Sequence, residues 1–487
     1  MRLSYSPTAT TLSSAQVFGF AQCRQRQRQQ SHSQTALAYS VPASEEARSA
    51  PLVVCYASQS KGRIHPSRRL YRYSRIVRSG RRVVMASSAV PPSVRIQAAD
   101  DPIIVTMRRL LQAREDGDVV SLAQGVVSWA PPECALVAAE QNVRASFASS
   151  YGNDDGDEEL REAIRKKLDE RNQLPYDDTY VMVTAGANQA FFNCAVALAD
   201  SQSKAVLFAP YYFNHLMALQ MTGVETVIGP SRLDDGSGAP DVQWLADTFK
   251  NHDDVRMVVL CNPCNPTGVV YDFDTLQAVS NLCKENGAWL VVDNTYEDFL
   301  YADGAFEAGH KCLADQHVVN IFSMSKGYGM MGWRVGYIAA SMKDGGALSE
   351  ELLKVQDTCP ICANRLAQRA ALAALTDKSA GPSWVRSNVE EVTRPNQQKV
   401  LAAVRAGGAP NVVGGAGAIY LMVNIPGSQD DMEFVKFMIK EYGVAVIPGV
   451  AHGMPGWIRV AYANVDAEIC DEACRRLEAG MKAWAAL

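Results

Sequence analysis

The chain has 487 residues, of which 47% are hydrophobic and 20% charged, a globular composition with length for two or more domains. Collagen-like, coiled-coil and wholly disordered chains are excluded. Its longer apolar runs, such as Met257 to Leu260 and Trp289 to Val292, fall far short of the ~20 residues of a membrane span. The net charge of −5 conceals a split: residues 1–90 hold 13 Arg and one Lys against two acids, a net +12, so residues 91–487 carry −17.

The head, residues 1–90, is rich in Ser and Arg, poor in acids, and lacks the apolar run of a secretory signal. That composition reads as an organelle transit peptide without structure of its own. The passage from Arg81-Arg82 to Ala86-Ser87-Ser88-Ala89 resembles a chloroplast cleavage region, with the cut expected around Val84-Met85-Ala86. A mitochondrial presequence competes, because Arg richness suits both, and a start at Met85 would leave a cytosolic protein. A nucleic-acid-binding tail is disfavoured, since such tails are usually Lys-rich or interleaved with aromatics.

In the body, residues 91–130 read as an N-terminal segment that packs with a small domain. Residues 131–378 read as a large domain and residues 379–487 as the small one. Glu158 to Asn172 spaces Leu160, Ile164 and Leu168 four apart, which predicts an amphipathic helix. Tyr180 to Thr184 predicts a strand and Asn188 to Leu198 a helix. Ala205 to Phe208, Arg256 to Leu260, Trp289 to Val292, Val318 to Phe322 and Val335 to Ala339 predict further strands. Strands separated by helical stretches make an α/β fold with a mostly parallel sheet and helices on both faces. Gly346 to Ala374 reads as helical with a break at Pro360. Beyond residue 380, helical stretches frame strands at Ala418 to Val423, Val444 to Ile447 and Trp457 to Ala461, an α+β pattern.

The 12 cysteines do not read as a disulfide framework in a reducing compartment. The pairs Cys261/Cys264 and Cys359/Cys362 lie too far apart for a zinc ribbon, so no metal is expected.

Ligands of an open α/β sheet collect at the carboxyl ends of its strands. Those ends carry Gly186-Ala187-Asn188, Pro210-Tyr211-Tyr212, Asn262 to Gly268, Asp293-Asn294-Thr295-Tyr296 and Ser323-Met324-Ser325-Lys326. A glycine turn at a helix start, an aromatic face, an amide, a carboxylate, a phenol, hydroxyls and an amine together suit a flat, phosphorylated, cationic heterocycle that reacts through an aldehyde.

The segment from Ser323 to Tyr337 resembles the lysine signature of the class I/II pyridoxal-phosphate aminotransferases of fold type I, and the resemblance spans residues 100–485. The phrases from Leu122 to Trp129, Thr184 to Phe192, Pro210 to Gly223 and Met330 to Ile338 are similar to the plant aromatic members. The resemblance implies ping-pong transfer of an amino group among methionine, aromatic amino acids and 2-oxo acids such as phenylpyruvate or indole-3-pyruvate.

It also implies roles for particular residues. Lys326 would hold the cofactor aldehyde and then carry the α-proton, which requires a lowered pKa. Asp293 would pair with the protonated pyridine nitrogen, and Tyr296 and Asn265 would bond the ring oxygen. Tyr212 would stack on the ring. Gly186, Ala187, Asn188, Ser323, Ser325 and Arg334 would hold the phosphate. Arg459 would clamp the substrate α-carboxylate with Asn265 beside it, and Gly125 and Trp129 would line the substrate pocket. Tyr151 would reach the phosphate of a partner subunit, making a homodimer. No nucleic acid or membrane partner is implied.

Two departures bear on substrate. His452 stands where many members carry Phe, and no residue suggests itself as the second arginine of dicarboxylate-preferring members. Rival readings are another reaction on the same cofactor, β-elimination from cysteine conjugates or aminocyclopropane-carboxylate-synthase-like ring closure. A more remote rival is a non-catalytic cofactor-binding regulator.

Overall fold

A computed structural model describes residues 90–487 apart from 113, 115–116, 234–236, 344 and 428–429. The expected transit peptide and its cut near Met85 lie outside the described residues. The described residues form one compact unit.

Its centre is a seven-stranded sheet of β1 (Thr179–Thr184), β2 (Lys204–Ala209), β3 (Glu225–Pro230), β4 (Val255–Cys261), β5 (Trp289–Asp293), β6 (Val318–Ser323) and β7 (Gly336–Ser341). The order across the sheet is β1-β7-β6-β5-β4-β2-β3. Only β7 runs against its neighbours, so the carboxyl ends of the other six share one edge with the start of β7.

Period-two alternation buries both faces. Val206, Phe208, Val258 and Leu260 pack on one side with Leu245, Phe249 and Leu276. Ala205, Leu207, Met257 and Val259 pack on the other with Phe191, Cys194 and Leu219. The fold class is therefore α/β with a mostly parallel sheet, as the sequence predicts. The helix Glu158–Asn172 spans the predicted residues, and its Leu160, Ile164 and Leu168 are buried.

A second sheet is antiparallel throughout. It contains β8 (Val412–Gly414), β9 (Tyr420–Asn424), β10 (Ile447–Pro448) and β11 (Trp457–Ala461), in the order β10-β11-β9-β8. The predicted strand Val444 to Ile447 divides. Ile447 and Pro448 join β11, whereas Val444 and Ala445 pair in parallel with Val120 and Ser121. The segment before residue 130 is tied down by that pairing and by Ile103 and Met107, which are buried on the helix Ile103–Gln112.

The stretch from Gly346 to Ala374 gives two helices, Ala347–Thr358 and Arg365–Thr376. The second restarts where the Asn364 side chain accepts the Ala367 N–H. β3 escapes sequence reading because it is an edge strand ending in Gly229-Pro230, residues that argue against a strand.

Candidate active site

A cavity of ≈ 410 Å³ opens at the shared strand edge, and its lining includes Lys326, Asp293, Tyr296, Asn265, Tyr212, Ser323, Ser325, Arg334 and Arg459. Lys326 lies three residues beyond the end of β6, and its Nζ donates to the Gly125 carbonyl. Burial lowers the amine's pKa from 10.5 to about 8, Arg459 and Arg334 push the same way, and Asp293 opposes them.

Asp293 ends β5. Its Oδ1 accepts the Thr295 N–H at 3.0 Å and its Oδ2 meets His215 Nε2 at 3.1 Å. Burial alone would raise its pKa, but the His215 and Thr295 bonds hold the carboxyl below its ordinary value. His215 arrives because Tyr212 precedes the helix Phe213–Thr222, so a residue three further on turns back under the site. The Tyr212 hydroxyl accepts from Asn214 at 2.8 Å.

The opposite wall comes from the second sheet. Arg459, central in β11, is only 2% exposed. Its Nη1 donates to Asn265 Oδ1 at 3.0 Å and its Nη2 to the Ala123 carbonyl at 2.9 Å. Its guanidinium lies 4.4 Å from the Tyr420 ring centroid. Among the described residues no carboxylate pairs with it, and its Nε has no hydrogen-bond partner. A buried cation held only by neutral groups is suited to an anionic ligand. Tyr420 also meets Tyr296, hydroxyl to hydroxyl, at 2.6 Å.

The third side suits phosphate. The helix Ala187–Leu198 starts on Gly186 with no side-chain cap, whereas Asp241, Asp272 and Asp466 cap theirs. Its first N–H groups are thus left to a ligand. Arg334, in the left-handed region at φ 54°, sends Nη1 to the Met331 carbonyl and Nη2 to the Ala185 carbonyl. Gly186 has φ 83°, and a side chain there would collide with the Arg334 guanidinium.

The family model for aminotransferases of class I and II matches residues 117–477. The chain belongs to that family. The aminotransferase is 43% identical over 393 residues to the aromatic aminotransferase ISS1 of Arabidopsis thaliana, covering 80% of this chain and 96% of that protein. It is 29% identical over 366 residues to the aspartate aminotransferase of Thermotoga maritima, covering 74% and 91%. The fold matches a tetra mutant of Thermus thermophilus aspartate aminotransferase complexed with tryptophan, with TM-score 0.73 and 27% identity over 80% of this chain and all of that one.

The family's cofactor is pyridoxal 5'-phosphate, and the aminotransferase has the groups to fit it. The uncapped helix start, Ser323, Ser325 and Arg334 suit the phosphate, and the ionised, buried Asp293 suits a protonated ring nitrogen. Gly186→Ala should weaken cofactor binding by about 10- to 100-fold, because a methyl there displaces Arg334 and the backbone conformation is essentially glycine-only. Titrating apoenzyme with cofactor by absorbance checks this; unchanged affinity would remove Arg334 from the phosphate site.

One residue expected in the pocket stands elsewhere. Trp129 does not line the cavity. Its indole N–H donates to the Gly327 carbonyl at 3.2 Å and its ring stacks on Phe299, so it steadies the lysine loop instead of forming a pocket wall. Tyr151 is 79% exposed and is not among the residues that line this chain's own cavity. His452 is buried, with Nδ1 2.8 Å from the Tyr211 carbonyl, and burial and Arg459 hold it well below the ordinary histidine pKa and therefore neutral. Cys261 and Cys264 are buried thiols and Cys359 is exposed. Sequence reading missed His215 and Tyr420. The three-residue spacing from Tyr212 was an available signal for His215; Tyr420 lies inside an apolar run that reads as core.

Proposed function

We propose that the aminotransferase moves amino groups between aromatic amino acids or methionine and 2-oxo acids such as phenylpyruvate or indole-3-pyruvate, by a ping-pong mechanism. The observation that carries this reading is the charge inventory of the cavity. Among the described residues lining it, the cations are Lys326, Arg334 and Arg459. One serves the aldehyde end, one the phosphate, and one a single carboxylate. Within this chain's described lining a second substrate carboxylate would find no cation of its own, while Ile104, Val126, Phe213 and Tyr420 offer apolar surface.

Pyridoxal 5'-phosphate, when bound, supplies the electron sink for charge developing at the substrate α-carbon. Ala187, Asn188, Ser323, Ser325 and Arg334 would hold its phosphate, Tyr212 its face, Asp293 its ring nitrogen, and Tyr296 with Asn265 its ring oxygen. Arg459 binds the α-carboxylate in a two-pronged grip and orients the α-hydrogen toward Lys326. Lys326 Nζ, whose neutral fraction is raised by its lowered pKa, would take that proton and pass it to the cofactor's aldehyde carbon, and in the second half-reaction would carry one from there to the new α-carbon. The exposed Tyr151 would complete the phosphate site of a partner subunit in a homodimer. The division into residues 131–378 and 379–487 belongs to the same reading.

A panel of amino donors against phenylpyruvate, indole-3-pyruvate and 2-oxoglutarate tests the assignment. Phe, Tyr, Trp and Met should give the highest kcat/KM, with parallel double-reciprocal lines. A preference for aspartate would overturn the substrate class, and ammonia release without a 2-oxo acceptor would overturn the reaction. A chloroplast location is proposed from the basic, acid-poor head, with a mature N-terminus near Ala86 expected by mass spectrometry.

A further inference from the structure

We propose that Tyr420 is a positioning residue whose hydroxyl donates to the Tyr296 oxygen and so commits the Tyr296 proton to the cofactor. The inference rests on the assignment of Tyr296 to the cofactor ring oxygen. Each phenol owns one hydrogen. The two oxygens, 2.6 Å apart, share one between them. For Tyr296 to donate outward, the shared hydrogen must come from Tyr420, giving a directed chain from Tyr420 to Tyr296 to the ring oxygen.

The surroundings set that direction. The Arg459 guanidinium lies 4.4 Å from the Tyr420 ring centroid and favours negative charge on that phenol, making its O–H the stronger donor. Burial raises both phenols, Tyr296 well above the ordinary value, and Arg459 works against the rise at both, as the second-largest influence on Tyr420 and a minor one on Tyr296. The other ionisable groups acting on the pair are Asp293, Cys261 and Tyr212. Tyr420 has no room to swing away. It is 1% exposed, its ring meets Tyr296 edge-on at 5.5 Å, and a side chain at Gly125 would strike its hydroxyl.

A chained hydrogen bond strengthens its successor by roughly 10–30%. The readout is the pH midpoint of the visible cofactor absorbance in purified holoenzyme, because a donor to the ring oxygen favours its anion and lowers that midpoint. Tyr296→Phe should raise the midpoint by about one to two pH units, and Tyr420→Phe by a few tenths of a unit, ~0.2–0.5. The double variant should go no higher than Tyr296→Phe alone, because Tyr420 acts only through Tyr296.

If Tyr296→Phe leaves the midpoint in place, the Tyr296 assignment fails and the chain with it. If Tyr296→Phe moves the midpoint but Tyr420→Phe does not, or if the two shifts add, the chain alone fails. Should Tyr420→Phe not fold, Gly125→Ala displaces the same hydroxyl; an upward shift there supports the chain, and no shift overturns it.

Discussion

Lys326→Ala should lower transamination by about 10³- to 10⁴-fold while leaving the protein folded and able to bind cofactor noncovalently. The amine is the group in the cavity that would move a proton at the α-carbon, because Asp293, held ionised by His215 and Thr295, would be engaged with the ring nitrogen in the proposed arrangement. Arg334 and Arg459 are guanidiniums and stay charged. The absorbance should change from that of a covalently held cofactor to that of the free aldehyde. Turnover within tenfold of the parent would overturn the role of Lys326.

The lowered pKa of about 8 adds a pH dependence with a definite sign. A cation's pKa falls when the charged form is disfavoured, so the neutral fraction grows as pH rises through 8. At pH 7 roughly a tenth of the apoenzyme carries the neutral amine, about 300-fold more than an ordinary lysine would. Cofactor capture by apoenzyme should therefore accelerate from pH 6 to 9 and level off above. The unfolded chain, with its lysine near 10.5, binds more protons between pH 8 and 10.5. The buried amine thus costs stability below pH 8, and that cost is relieved as pH rises across the window, a rise absent from Lys326→Ala.

Arg459→Met separates function from folding. It should lower kcat/KM by about 10²- to 10³-fold, chiefly through KM, because the substrate carboxylate loses a buried, two-pronged cation. The apoenzyme should melt at the same temperature or slightly higher. Replacing a buried charge by a well-packed apolar residue is often neutral or stabilising. Here, among the described residues, the guanidinium is surrounded by an amide, a carbonyl and rings without a compensating carboxylate. Arg459→Lys should recover part of the affinity, since it keeps the charge but loses the fork. A fall of more than about 10 °C in the melting temperature of Arg459→Met would assign the lost activity to unfolding instead.

Much of this site is legible in the sequence for a topological reason. Parallel strands deliver their last residues to one edge, so Asp293 and Ser323, each closing an apolar run, and Lys326 just beyond, can be placed together from strand pattern alone. Arg334 is legible because it precedes the strand that begins on the same edge. What is not legible depends on packing. Tyr420 lies within Ala418 to Val423, where alternation does not tell a cavity wall from a core. Trp129 misleads for the opposite reason: a large aromatic beside a ligand loop suggests a pocket, yet its N–H is taken by the Gly327 carbonyl. β3 is hidden by the glycine and proline at its edge, and the split of Val444 to Ile447 between two sheets has no local signature.

The loop from Ser323 to Gly336 carries both Lys326 and Arg334 and is pinned at its base, where Ser323 and Gly336 face each other on β6 and β7. Arg459, by contrast, belongs to the other sheet. Transamination requires one molecule to leave and another to arrive while the nitrogen waits on the enzyme. If Lys326 and Arg334 hold the cofactor and Arg459 the substrate, as proposed, the retained passenger's two anchors share one loop and the grip on the exchanged passenger lies on the other sheet, so that the second loosens without slackening the first. The half-finished reaction can then be stored between partners, and one cofactor can serve many amino acids in turn.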